Sequence, residues 1–163
     1  MKIRKYLSNC FLLLIPLFLW NIILVDYLPK SYSPEIFWKD IPKWIAYSEH
    51  VLRIIVFAFP VIMIFSLKTR VQKIGFGIYL VGILIYFLSW TATIIYPQSN
   101  WSTSLVGFMA PAFTTLIFFI GIGLIGHKAY LKIPYLSQIY ITLSVLFVLF
   151  HSLHTFTIFE RIH

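Results

Sequence analysis

Five long apolar stretches follow one another along this 163-residue chain, and each is long enough to cross a lipid bilayer as a helix. Because hydrocarbon offers a peptide group no hydrogen-bond partner, a chain can span it only as helices or as a closed barrel. The stretches are continuous runs of about 20 apolar residues, whereas barrel strands show about 10 alternating ones. The sequence therefore predicts an all-α integral membrane protein, a bundle of five transmembrane helices.

The composition excludes an ordinary soluble domain and favours one transmembrane domain over residues 1–163. Charged residues make up 11% of the chain, against about 25% in soluble proteins. The net charge is +8, but the Lys and Arg residues lie at the ends of the apolar stretches. There they orient helices and contact anionic lipids, so we expect membrane lipids as partners and no nucleic acid. The single Cys10 excludes an intramolecular disulfide and a cysteine-based zinc site.

Basic residues cluster at alternate ends of the predicted helices. The predicted helices cover approximately residues 8–28, 47–67, 74–96, 105–126 and 136–159. The clusters at one set of ends comprise Lys2, Arg4, Lys5, Lys68, Arg70, Lys73, Lys128 and Lys132. Because cytoplasmic loops carry an excess of Lys and Arg, this bias predicts a cytoplasmic N-terminus and an external C-terminus. We expect a multi-pass protein of the bacterial inner membrane.

All acidic residues fall on the predicted outer side of this membrane. They are Asp26, Glu35, Asp40, Glu49 and Glu160. The same side carries the longest loop, residues 27–46, in which aromatic rings alternate with prolines and charges. Amphipathic rings prefer the headgroup region, so we expect this loop to lie along the outer interface. It is either a lid over the bundle or an aromatic belt that sets helix depth.

Small and hydroxyl-bearing residues predict which helix faces meet inside the bundle. In lipid, helices associate through small residues and interhelical hydrogen bonds. The third helix carries such residues at alternating steps of four and three, which is one helical face. This stripe consists of Gly75, Tyr79, Gly82, Tyr86, Ser89, Thr93 and Tyr96. The corresponding face of the fifth helix has Tyr140, Ser144, His151, His154 and Thr155. We expect close packing along both faces.

Ionisable residues within the second and fifth helices predict a polar site. Glu49 and Arg53 are four residues apart and His151 and His154 three, so each pair shares a helix face. At about 1.5 Å per residue, Arg53 and His151 both lie within about 12 Å of the outer surface. An intramembrane Arg is costly unless paired, and such residues usually mark function. The predicted ligand-binding residues are Glu49, Arg53, Trp90, Tyr96, His151 and His154.

Two alternatives stay open for the four ionisable residues. Glu49 and Arg53 can form a structural ion pair within one helix, and the histidines can simply donate hydrogen bonds between helices. Alternatively, Glu49, His151 and His154 are candidate metal ligands that could hold zinc or another divalent ion if they converge. The sequence alone does not show whether they do.

Two short segments resemble part of a known pair of motifs. Glu49-His-Val-Leu-Arg53 and Phe147-Val-Leu-Phe-His151 are similar to the Glu-Glu-xxx-Arg and Phe-xxx-His motifs of the CAAX-processing and bacteriocin-processing intramembrane proteases. Ser48 stands in the place of the first glutamate, and no separate third histidine motif follows. The similarity indicates hydrolytic chemistry within the membrane and does not assign the chain to the family.

The sequence favours a protein that binds a small ligand, lipid or metal in a polar pocket facing the outer side. The alternative is a membrane-embedded, possibly metal-dependent hydrolase, in which the candidate catalytic residues are Glu49 as base and His151 and His154 as its partners. A third possibility is an accessory subunit that docks a larger membrane complex through the stripe on the third helix. Five helices would also suit a homo-oligomer.

Overall fold

A computed structural model describes residues 8–130 and 133–162, and within them the chain is helical with no β-strand. The helices are α1 (Ile15–Leu24), α2 (Pro34–Phe37), α3 (Lys43–Ala58), α4 (Arg70–Ile95), α5 (Leu105–Phe113), α6 (Thr115–Ile125) and α7 (Leu136–Ile162). Turns of 3-10 helix extend α1 on both sides, to Cys10 and Tyr27, and α3 to Val61. The predicted basic residues Lys2, Arg4, Lys5 and Lys132 lie outside the described residues.

Five helical segments in the described chain are long and apolar enough to cross a membrane, as the sequence predicts. They are Cys10–Tyr27, Lys43–Val61, Arg70–Ile95, Leu105–Ile125 and Leu136–Ile162. The fourth is interrupted between α5 and α6 at Thr114, three residues after Pro111.

The second and third membrane-length helices differ from the predicted bounds for local reasons. The second ends at Val61 and not at 67, because Pro60 cannot continue an α-helix and the chain beyond it is extended. The third begins at Arg70 and not at 74. Thr69 caps it by accepting from Gln72 N, and Gln72 Oε1 accepts from Thr69 N in return.

The stripe on α4 packs against α6, which confirms the close packing expected for its small residues. A Cβ on Gly82 would lie 2.5 Å from the Phe118 backbone nitrogen, and one on Gly121 would lie 2.5 Å from that of Tyr79. Neither position can hold a larger residue unless the helices separate. The last stripe residue, Tyr96, is the exception, because it lies beyond the end of α4 and is exposed.

The predicted polar face of α7 is directed into the bundle, where it packs directly against α3. Tyr140, Ser144 and His154 have no exposed surface, and Thr155 is buried beside them. No helix lies between α3 and α7. The side chains of the second and fifth membrane-length helices can therefore meet, which is the condition for the predicted site.

Residues 28–42, here called the lid segment, fold back onto the bundle. The Tyr32 ring stacks on Phe108 at 4.7 Å, and its hydroxyl donates to the Phe108 carbonyl oxygen at 2.9 Å. Arg161 at the end of α7 donates to the carbonyl oxygens of Ile36 and Lys39. Burial raises the pKa of Tyr32 well above its ordinary value, so the hydroxyl remains a neutral donor. These contacts favour the lid interpretation over a belt.

Candidate functional site

Glu49 lies at the centre of the site, on α3, and has no exposed surface. Its Oε1 accepts a hydrogen bond from Arg53 one turn later and lies 3.0 Å from His151 Nδ1. Its Oε2 contacts His154 Nδ1. The sequence-based prediction that the two pairs lie within side-chain reach is thus confirmed. Because α3 and α7 pack face to face, i,i+4 and i,i+3 spacings bring the other three side chains to the Glu49 carboxylate.

His154 lies between two oxygen atoms, and this constrains the protons of the site. Its Nε2 is 2.8 Å from the Phe37 carbonyl oxygen, which can only accept, so Nε2 carries a hydrogen. Its Nδ1 faces Glu49. Either Nδ1 also carries a hydrogen and donates to the carboxylate, or Glu49 is protonated and donates to Nδ1. In both cases one proton is held between Glu49 and His154.

Aromatic rings enclose this charged cluster. Phe37 and Trp38, from α2 and the residue after it, lie 4.6 and 4.8 Å from the His154 ring. The Arg53 guanidinium lies 5.7 Å from the Trp38 ring centre, within the range of a cation–π contact. Phe147 stacks on His151 at 5.6 Å with the ring planes 5° apart. These ring contacts restrict the orientation of both imidazoles.

A cavity of about 370 Å³ opens beside the cluster, between α1, α3, α4, α6 and α7. Arg53 and His151 contribute polar atoms to its wall on one side, and Asn21 and Tyr86 on another. Apart from these, its lining is mainly aliphatic and aromatic. A smaller cavity of about 190 Å³ adjoins it and shares the lining residues His151 and Trp90. Tyr32 and Phe37 of the lid segment line this second space.

The structure places the predicted ligand-binding residues in three positions. Arg53, Trp90 and His151 line the larger cavity. Glu49 and His154 lie behind that wall, and neither has exposed surface. Tyr96 is 66% exposed beyond the end of α4 and does not line either cavity.

Asn21, Tyr86 and Trp20 line the cavity but were not among the predicted ligand-binding residues, although Tyr86 belongs to the predicted stripe. Asn21 Oδ1 accepts a hydrogen bond from the Tyr86 hydroxyl at 2.6 Å, which joins α1 to α4 across the cavity. Trp20 lines the same space and stacks on Phe87 at 4.1 Å. Asn21 had a signal in the sequence, since it is a lone amide within an apolar run. Trp20 had none, because an aromatic residue in such a run is ordinary.

The hydrogen bonds bear on the candidate metal site. In the described part of the chain, no group of three or more His, Cys, Asp or Glu residues is arranged to hold a metal ion. Both nitrogens of His154 and both oxygens of Glu49 are already engaged. A metal ligated by Glu49, His151 and His154 would have to break these contacts. The arrangement therefore favours a hydrogen-bonded cluster of imidazoles around one carboxylate.

Comparisons with protein-family models, with curated proteins and with solved structures found no match to this chain.

Proposed function

We propose that this chain is a multi-pass protein of the bacterial inner membrane, with its N-terminus in the cytoplasm and its C-terminus outside. The support is the five membrane-length helices together with the basic residues at alternate ends. The lid segment then lies at the external surface. A reporter enzyme fused after His163 should be active only outside the cytoplasm. A cytoplasmic signal from that fusion would contradict the proposed orientation.

The function that the geometry supports best is the binding of a small amphipathic molecule in the larger cavity. The observation that carries it is a cavity of about 370 Å³ with Arg53 and His151 together on a wall that is otherwise mainly apolar. Ligand sites typically combine an apolar lining with a few convergent polar groups, in volumes of about 300–1,000 Å³. The apolar lining holds the body of the ligand, and the polar wall orients its head.

A cavity-filling variant tests this proposal without touching the charged cluster. Leu24→Trp places a larger side chain at a residue that lines the cavity. Leu19→Trp is the matched control, because Leu19 lies on the same helix, is 54% exposed and does not line the cavity. Native mass spectrometry from mild detergent should show a retained small molecule with the wild type and with Leu19→Trp. It should be lost from Leu24→Trp. An empty wild type, or retention by Leu24→Trp, would contradict the proposal.

A membrane-embedded hydrolase is the second candidate, and the contact between Glu49 and His151 favours it. Glu49 Oε1 holds His151 Nδ1 at 3.0 Å, while His151 lines the cavity and is 22% exposed. A carboxylate that orients an imidazole is the usual support of a general base. Glu49 itself is fully buried, so in this arrangement His151 is the group that can take a proton from water. Glu49 then acts as its positioning residue.

His151→Asn separates the hydrolase from the binding protein. If the protein hydrolyses its ligand, the variant should retain an intact molecule while the wild type retains fragments or nothing. Liquid chromatography with mass spectrometry of the extracted ligands makes the comparison. The same intact molecule in both proteins would exclude hydrolysis and leave binding as the function.

A role as an accessory subunit, the third possibility, loses the surface on which it was based. The stripe on α4 is covered by α6 of the same chain. A partner subunit, or a second copy of this chain, would have to dock on another face.

A further inference from the structure

The charged cluster carries one positive charge more than its own residues neutralise. Glu49, His154 and the proton between them sum to zero wherever that proton lies, and Arg53 adds one positive charge. Neutral His151 leaves this sum unchanged, and protonated His151 raises it. Among the described residues, Glu49 is the only acid within ion-pair distance of Arg53, His151 or His154. The other four acids are exposed.

An uncompensated charge is costly in a site of this kind. Arg53 is 32% exposed and lines the cavity, and among the described residues its acidic neighbour is Glu49 alone. Charges removed from water are normally paired, because desolvation costs on the order of several kcal/mol per ion. The missing negative charge is therefore expected inside the cavity.

The cavity wall also has more hydrogen-bond donors than acceptors. The indole N–H group of Trp20, a residue that lines the cavity, is buried and makes no hydrogen bond within residues 8–130 and 133–162. Arg53 makes one hydrogen bond, to Glu49, whereas a guanidinium has five N–H donors. Asn21 uses its oxygen for the Tyr86 hydroxyl, which leaves its amide N–H groups for a ligand. A buried donor without a partner costs about 1–3 kcal/mol.

We propose that the polar group of the ligand is an anion that only accepts hydrogen bonds, a carboxylate or a phosphate, attached to an apolar body. This inference rests on the proposed binding function and adds the ligand class. One negative charge neutralises the cluster, and several acceptor lone pairs satisfy the indole and guanidinium donors. Neutral alcohols and amides bring donors of their own and no charge. Cationic amphiphiles would add a second unpaired charge.

Two sources can supply this chemistry, a free single-chain acid and the phosphate of a membrane lipid. A matched series of twelve-carbon probes, dodecanoate, dodecanol and dodecylamine (on the order of the length of one lipid tail), isolates the contribution of the head group. Binding is measured on the protein in nanodiscs of phosphatidylcholine. A parallel native mass spectrum after exchange into nanodiscs containing phosphatidic acid tests the lipid source.

We expect dodecanoate to bind at least about tenfold more tightly than dodecanol, and dodecylamine not to bind. Retention of phosphatidic acid, with displacement by dodecanoate, identifies the phosphate source. Retention of dodecanoate alone identifies the free acid. If dodecanol binds as tightly as dodecanoate, the anionic assignment is overturned while the binding function stands. If no probe binds and no molecule is retained, both the anionic assignment and the proposed binding function are overturned.

Variants at two residues, Arg53 and Trp20, locate the effect at the proposed donors. Arg53→Gln should abolish the preference for dodecanoate over dodecanol, and continued dodecanol binding reports that the protein is folded. Arg53→Lys should retain much of the preference, because it keeps the charge. Trp20→Phe removes one N–H and keeps an aromatic ring, so dodecanoate affinity should fall several-fold with dodecanol affinity unchanged. Trp44→Phe is the control, since Trp44 is exposed and does not line the cavity. An unchanged preference in Arg53→Gln would overturn the proposal.

Discussion

Two helix contacts in this molecule are held together in opposite ways. One is the contact between α4 and α6, and the other is the contact between α3 and α7. Gly82 and Gly121 let the first pair touch backbone to backbone. The side-chain nitrogen and oxygen of Gln72, the buried amide at the start of α4, both have hydrogen-bond partners there. Its nitrogen donates to the Ile125 carbonyl oxygen at 3.1 Å, and its oxygen accepts from the Lys68 and Thr69 backbone nitrogens.

The contact between α3 and α7 instead holds a buried carboxylate, three cationic or imidazole groups and a cavity wall. The charges of Glu49, His154, the proton between them and Arg53 do not sum to zero. Close packing of small residues is the cheaper way to join helices in lipid. A helix contact that costs more free energy than its structural role requires is where function is expected, and the contact between α3 and α7 is of this kind.

Glu49→Gln should have the largest effect on stability. The change keeps the shape of the side chain and removes the negative charge that Arg53 and both histidines share. Breaking a buried ion pair by removing one partner costs about 3–5 kcal/mol. Glu35→Gln is the control, because Glu35 is an exposed acid on the lid segment. Unfolding in mixed micelles should separate the two variants. Equal stability would show that the cluster does not depend on the buried charge.

Gly82→Ala should have the next largest effect. The new methyl group would meet the backbone of Phe118, and overpacking of this kind costs about 1–3 kcal/mol. Gly77→Ala on the same helix has no atom within 4 Å of the added carbon, so it should be neutral or stabilising by up to about 1 kcal/mol, because Ala favours a helix more than Gly does. The same unfolding assay compares them. If Gly77→Ala is destabilised as much as Gly82→Ala, the close contact with α6 does not control the result.

The helices and the helix faces that carry the polar residues could be predicted because they follow from periodicity, whereas the direct packing of α3 against α7 that brings these faces together could not. Runs of apolar residues determine the five membrane-length helices, and spacings of three and four residues place side chains on one face. The cost of an unpaired intramembrane arginine predicts that Arg53 meets Glu49. Both predictions are confirmed by the contacts of Glu49.

The lid contacts and the cavity could not be predicted, because they depend on tertiary arrangement. The Phe37 carbonyl oxygen that contacts His154 is a backbone atom in a loop, and no residue type marks it. Tyr96 continues the stripe in the sequence, yet α4 ends at Ile95, and the non-helical backbone of Tyr96 takes its side chain off the face. A step of three residues predicts a shared face only while the helix continues.

Gln72→Met should destabilise the protein and leave ligand binding unchanged. It removes the hydrogen bonds to the Ile125 carbonyl oxygen and to the cap of α4, at a cost of about 1–3 kcal/mol. Gln72 is about 20 Å from Tyr86 along the helix at 1.5 Å per residue. Lys73→Met, an exposed neighbour, should change neither property. Loss of dodecanoate binding in Gln72→Met at a temperature where it is folded would show that the two regions are coupled.

Arg161→Gln should have the smallest effect on global stability and a local effect on the lid segment. Arg161 donates to the carbonyl oxygens of Ile36 and Lys39, at the end of α2. Its removal should speed hydrogen exchange of the Phe37 and Trp38 amides a few-fold, because the donors that hold the segment against α7 are lost.

Lys39→Gln is the control for this change, because it alters an exposed side chain and keeps the carbonyl oxygen that Arg161 contacts. Hydrogen exchange followed by mass spectrometry resolves the segment from the rest of the chain. Faster dissociation of dodecanoate from Arg161→Gln, with its thermal midpoint unchanged, would show that the segment controls access to the cavity. If Lys39→Gln exchanges as fast as Arg161→Gln, the side-chain contacts of Arg161 are not what holds the segment. His154, through the Phe37 carbonyl oxygen, would then be its main attachment to α7.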